Sequence, residues 1–108
     1  MATRRTVELG RMSFAEVAAV LPEKPIILLP IGTVEQHGPH LPNNADNMVA
    51  SYIATHAAAQ TNALVAPNIN YGVSPYFLAF PGSISVRPET LAQIVREVCQ
   101  SLIQQRLS

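Results

Sequence analysis

Pro25-Ile26-Ile27-Leu28-Leu29-Pro30-Ile31-Gly32-Thr33-Val34-Glu35-Gln36-His37-Gly38-Pro39-His40-Leu41-Pro42 is the stretch on which the fold turns. Its first part is four consecutive aliphatic residues bounded by prolines. That pattern fits a strand of a parallel sheet, covered on both faces. The run then passes into a loop, Ile31 to Asn44, rich in Gly, Pro, His and Asn. Structureless stretches of that length inside compact domains are functional or disordered. The rigid prolines speak against disorder.

Downstream, Asp46 to Gln60 reads as a helix, with Met48, Val49, Ile53 and Ala57 recurring on one face and alanines around them. Ala63 to Ala66 is a second strand. Pro67 to Gly82 forms another long loop, containing Asn68, Asn70, Tyr71, Gly72, Ser74 and Tyr76. Ser83 to Val86 reads as a short third strand or an extended segment. Pro88 then opens a helix, with Glu89 in its first turn and an apolar stripe of Leu91, Ile94, Val95, Val98 and Leu102. Upstream, residues 1–12 are extended or irregular. Ser13-Phe14-Ala15-Glu16 has the capping-box form, so a helix covers Phe14 to Leu21 and stops at Pro22. Glu23-Lys24-Pro25 is a turn. Strands alternating with helices indicate an α/β fold with a mainly parallel sheet and ligands beyond the carboxyl ends of its strands. The loops after the first two strands should therefore converge on one edge. No internal repeat or linker divides the chain, so residues 1–108 are read as a single domain.

Composition narrows the function classes. Of 108 residues, 48% are hydrophobic and 13% charged, about half the usual ~25% charged content, which suggests that something covers part of the surface. Seven basic and seven acidic residues give a net charge of +0, with no basic stripe and no aromatic run, so nucleic acid is not the expected partner. Arg4, Arg5 and Arg11 read as a solvated basic tail. Cys99 is the only cysteine, which rules out an intrachain disulfide and a Cys-x-x-Cys metal site; within its helical pattern it reads as a packing residue. No apolar stretch reaches the ~18 residues of a membrane span, and no signal-type segment follows the N-terminal arginines, so the cytoplasm is the expected location.

Glu35, His37, His40 and Asp46 stand within twelve positions after a buried strand. Carboxylate oxygen and imidazole nitrogen are the donors that hold Zn²⁺, Mn²⁺ or Fe²⁺. In extended backbone Glu35 and His37 point the same way and can face one pocket. Asp46 sits where a helix begins, a place that favours a carboxylate on its own account, so it also reads as a simple N-cap. Glu-x-His alone is a weak signal. His56, mid-helix among alanines, reads as an ordinary packed or surface residue.

The longer string is more specific. Pro30 through Pro42 with Asp46, then Pro67-Asn68-Ile69-Asn70-Tyr71-Gly72-Val73-Ser74, then Phe80-Pro81-Gly82-Ser83-Ile84-Ser85-Val86, closely resembles three ordered blocks of the creatininase (creatinine amidohydrolase) family. The resemblance covers the N-terminal half of that family's domain. It implies an α/β/α sandwich, here a partial three-layer one, and a hydrolase of C–N bonds in cyclic or linear amides. It also implies a site with two divalent ions (Zn, Mn or Fe) and assembly into homo-oligomers. By motif, Glu35 would ligate one ion, His37 the other, and Asp46 would bridge them. His40 would support the ligands by hydrogen bonding or pack the loop, while Tyr71, Ser74 and Tyr76 would line the pocket for a small-molecule amide or else shape the loop that carries them.

Two departures accompany the resemblance. Ala45 stands where the family usually has Thr or Ser. No later block resembling Asn-Gly-His-Gly-Gly-Asn, which carries the family's remaining histidine and glutamate ligands, appears in the chain. Three side chains fall short of the six to eight donors that two ions need. The chain is thus expected to be the N-terminal portion of a hydrolase, a subunit completed by another chain, or an inactive interaction or oligomerisation module. The first is the favoured reading, with weak or no activity from these residues alone.

Overall fold

A computed structural model describes residues 4–107; the first three residues of the expected irregular N-terminus lie outside the described residues. Five main elements follow in order: α1 (Phe14–Val20), β1 (Ile26–Leu28), α2 (Ala45–Ala59), β2 (Ala63–Val65) and α3 (Pro88–Leu107), with short 3-10 turns at Leu9–Arg11, Leu21–Glu23 and Pro75–Phe77. The architecture is α/β, as the alternation of patterns requires.

β1 and β2 pair in parallel, with Ile26 opposite Ala63, Ile27 opposite Leu64 and Leu28 opposite Val65. All three residues of β2 are buried. Successive strand residues point to opposite faces, so β2 is covered on both. β1 is less protected, and Ile26 is 63% exposed. On its other side β2 meets the N-terminal segment: the Val65 N–H donates to the Val7 carbonyl at 2.8 Å, and Glu8 bridges Val65 in parallel.

The core is small. Ala58 of α2 packs with Ala63 and Val65, and Val7, Leu28 and Ala54 close around them. Alanine on the inner face lets the helix backbone approach the strands closely, which explains the alanine-rich stretch. The outer face of α2 leaves Met48, Val49, Tyr52 and Ile53 exposed. His56 is exposed there too, stacked on Tyr52 at 4.0 Å between ring centroids. α3 borders an apolar cleft of about 430 Å³, facing Leu9, Ile69 and Tyr71 with Ile94, Val98 and Leu102. Cys99 is a half-buried free thiol. No described helix is long and apolar enough to cross a membrane.

Local signals held at α1. Ser13 Oγ accepts from the Glu16 N–H at 3.2 Å and Glu16 Oε1 accepts from the Ser13 N–H at 3.1 Å, completing the capping box. Arg5 bonds the other oxygen of Glu16 at 3.0 Å, and this bond, with the Ser13 N–H behind it, holds the Glu16 carboxyl below its ordinary range. Two expectations need correction. Arg4 is no solvated tail: its side chain is 8% exposed and its guanidinium bonds Asn62 Oδ1 at 2.7 Å, within 3.7 Å of Glu23. β1 is not covered on both faces, since Ile26 is exposed and Ile27 and Leu28 are half-buried. Of its two readings, Ser83 to Val86 takes the extended segment. It makes one antiparallel bridge, Ile84 to Val34. Ser83 Oγ accepts from the Gln36 N–H and Ser85 Oγ from the Ser74 N–H, so the segment joins both site loops through its hydroxyls.

Candidate metal centre

The parallel pairing continues beyond both strands and carries their loops forward side by side. The Ile69 N–H donates to the Pro30 carbonyl and the Gly32 N–H to the Ile69 carbonyl, each at 3.0 Å. The two polar loops thus meet at the carboxyl end of the sheet, where the strand order placed them.

The Glu35–His37 segment is strapped from both sides. The Glu35 N–H donates to the Asn43 carbonyl at 3.0 Å, the Gln36 N–H to Ser83 Oγ at 3.1 Å, and the Ile84 N–H to the Val34 carbonyl at 2.8 Å. Gly38, at φ 85°, turns the chain immediately after His37 in a conformation costly for other residues. The Gln36 side chain closes that turn by accepting from the Gly38 N–H at 2.9 Å.

Asp46 enters from α2. The N-cap is Asn44, whose side chain makes no bond to the helix backbone, and Asp46 lies in the first turn. Its carboxylate therefore faces the loop. One donor atom each from Glu35, His37 and Asp46 can be chosen so that all lie within 4.8 Å of one another. His37 Nε2 stands 3.3 Å from Asp46 Oδ1. The distance suits an ion pair, but the alignment is not that of a hydrogen bond, and Nε2 is left buried with no hydrogen-bond partner. A buried imidazole nitrogen without a partner is costly. A cation between the three donors would satisfy it, so the residues present fit a divalent metal.

The other expected site residues are placed differently. His40 is exposed and its ring lies by the Gly38 turn, near where a Cβ on Gly38 would be. Tyr71 is half exposed and Tyr76 is 90% exposed. Ser74 is buried; its hydroxyl pairs with Thr33 Oγ1 at 2.9 Å and its N–H donates to Ser85 Oγ at 2.8 Å. It shapes the junction between the two loops. Asn47 went unnoticed in the sequence. It is buried, and its amide bonds Thr33, Asn44 and Asn70. A carboxamide beside Asp46 on the alanine-rich inner face of a helix was the available sign. A groove of about 530 Å³ bordered by Asn44, Asn47, Tyr52, Asn68 and Asn70 contains none of the three donors.

The model of the family described as creatinine amidohydrolase matches residues 10–108. The chain belongs to the creatininase family. Among its relatives, the mycofactocin precursor peptide peptidase of Mycobacterium tuberculosis (strain CDC 1551 / Oshkosh) is 33% identical over 91% of this chain and 43% of its own length. Creatinine amidohydrolase of Pseudomonas putida is 29% identical over 91% of this chain and 40% of its own. A solved creatininase structure described as the Mn form superposes with a TM-score of 0.86 at 28% identity, covering 93% of this chain and 41% of that one. The chain therefore spans about two fifths of the length of the creatininases it matches.

Proposed function

We propose that this chain supplies the N-terminal donors of a divalent-metal site in a hydrolase acting on a C–N bond of a small amide. The observation that carries the reading is the convergence of Glu35, His37 and Asp46, with an unpartnered imidazole nitrogen among them. Glu35 and His37 approach from one strapped loop and Asp46 from the helix start; by the family resemblance, Glu35 would help hold one ion, His37 the other, and Asp46 both. A divalent ion supplies Lewis acidity toward water and toward an amide carbonyl. Tyr71 and Tyr76 are proposed to flank the substrate from the second loop. The names of the relatives, an amidohydrolase and a peptidase, support hydrolysis at a C–N bond.

Three protein donors make an open, weak site. We infer that the remaining donors come from polypeptide corresponding to the rest of the relatives' length. Such polypeptide, or a second copy of the chain, would also cover the exposed apolar residues of α2.

Manganese analysis tests the reading. After dialysis the 108-residue protein should retain well under two ions per chain, and a stoichiometric pair would refute the shortage of donors. Asp46→Ala should reduce Mn²⁺ binding by more than the roughly 10–100-fold that loss of a supporting partner costs, whereas His40→Ala should stay within that range. Equal effects would undo the assignment of Asp46.

A further inference from the structure

Asn47 is 3% exposed and sits one residue after Asp46 on the face of α2 turned toward the sheet and loops. Its Nδ2 donates to the Thr33 carbonyl at 3.2 Å, to the Asn70 carbonyl at 3.0 Å and to Asn44 Oδ1 at 2.8 Å. Two N–H groups thus serve three acceptors on three different segments. Thr33 lies two residues before Glu35 in the strapped loop, Asn70 belongs to the loop after β2, and Asn44 is the N-cap of α2 itself. A fourth tie uses the Asn47 backbone, whose carbonyl accepts from Asn68 Nδ2 at 3.1 Å. Further along the same side of α2, Ala54 and Ala58 pack on the strands. Among the described residues of α2, Asn47 is the one whose side chain bonds both site loops.

The arrangement is specific to a close approach. A Cβ placed on Gly32 would fall 2.1 Å from Asn47 Oδ1. Oδ1 itself has no hydrogen-bond partner. An ordinary packing residue would leave no polar atom stranded there, so the amide is present for what its Nδ2 holds together.

We infer that Asn47 is a positioning residue for the metal cluster, fixing the start of α2, and with it the Asp46 carboxylate, against the loop that carries Glu35 and His37. The inference rests on the metal reading above. Removing the amide leaves all three donors in place but frees the helix start from the loop, so binding weakens and the geometry around the ion changes. Supporting bonds of this kind are worth about 10–100-fold in metal affinity.

Co²⁺ titration of the 108-residue protein, read by its visible absorption spectrum alongside thermal melting, tests this. Asn47→Leu, which keeps the approximate volume, and Asn47→Ala should weaken Co²⁺ binding about 10–100-fold and shift the absorption bands. Gly32→Ala should reproduce the same spectral change by displacing the amide while leaving Asn47 in the chain. Leu64→Ala, a change to a fully buried residue of β2, serves as the structural control: it should lower the melting temperature and leave the bands where they are. Unchanged Co²⁺ affinity and bands in the Asn47 variants would overturn the inference while leaving the metal reading intact. So would a loss of affinity that tracks melting temperature as it does in Leu64→Ala, without a spectral shift. If the unaltered protein bound no Co²⁺, or if Asp46→Ala bound it equally well, the metal reading would fall and the positioning role with it.

Discussion

The loop from Ile31 to Asn44 and the helix α3 are built on opposite principles. The loop has no repeating backbone ladder, yet it is closed on itself from Glu35 to Asn43 and tied outward to Ile69, to Ser83 and, at Thr33, to Asn47 of α2. α3 is a regular helix of 20 residues that satisfies its backbone internally; its apolar stripe is only half-buried, Ile94 is 42% exposed, and Ile103 beside the stripe is 57% exposed. The difference shows what organises the site. Directional polar bonds hold the irregular segment that carries the donors. Apolar periodicity makes the helix but does not by itself give it a partner.

The comparison can be broken in graded steps. The largest stability effect should come from beneath both regions. Leu64 is fully buried in β2, and Leu64→Ala should cost about 2–5 kcal/mol in urea unfolding; a loss under about 1 kcal/mol would show that the core does not bear on the fold as described. Gly32→Ala strikes the tied loop alone. The added methyl meets Asn47, and overpacking of this kind costs about 1–3 kcal/mol. A neutral result would mean the loop and α2 can separate freely, which would remove the contrast with α3. Ile103→Ser probes the open helix face and should change stability by no more than about 0.5 kcal/mol. A larger loss would show that α3 is covered in solution, by a second copy of the chain for example, and sedimentation of the same sample would reveal it.

Much of this was legible in the sequence because it rests on short-range rules. The apolar run before Pro30, the alanine-rich helix and the Ser13–Glu16 capping box each declare themselves locally, and each formed. Parallel pairing followed from the alternation of elements, and it brought the two polar loops together. The spacing of Glu35 and His37 predicted a shared direction, and the donors do converge. What escaped was settled by partners far apart in the chain. Arg4 is buried because Asn62 and Glu23 wait for it. Between the two readings of Ser83 to Val86 the local pattern could not choose, and its hydroxyls bond loop amides 11 to 47 positions away. Ser74 read either as a pocket hydroxyl or as one that shapes the loop, and the partner it has, Thr33, is 41 residues distant. Asn47 gave a faint sign only, a carboxamide on a face that otherwise carries alanine.

The most direct measurement is paramagnetic broadening of backbone amide resonances by substoichiometric Mn²⁺ in the isotope-labelled protein. The structure predicts that the amides of Glu35, His37 and Asp46 fade together and ahead of the rest. Fading centred instead on exposed acids such as Glu89 and Glu97, or a Glu35–His37 response that occurs without Asp46, would contradict the convergence of these three side chains on one ion.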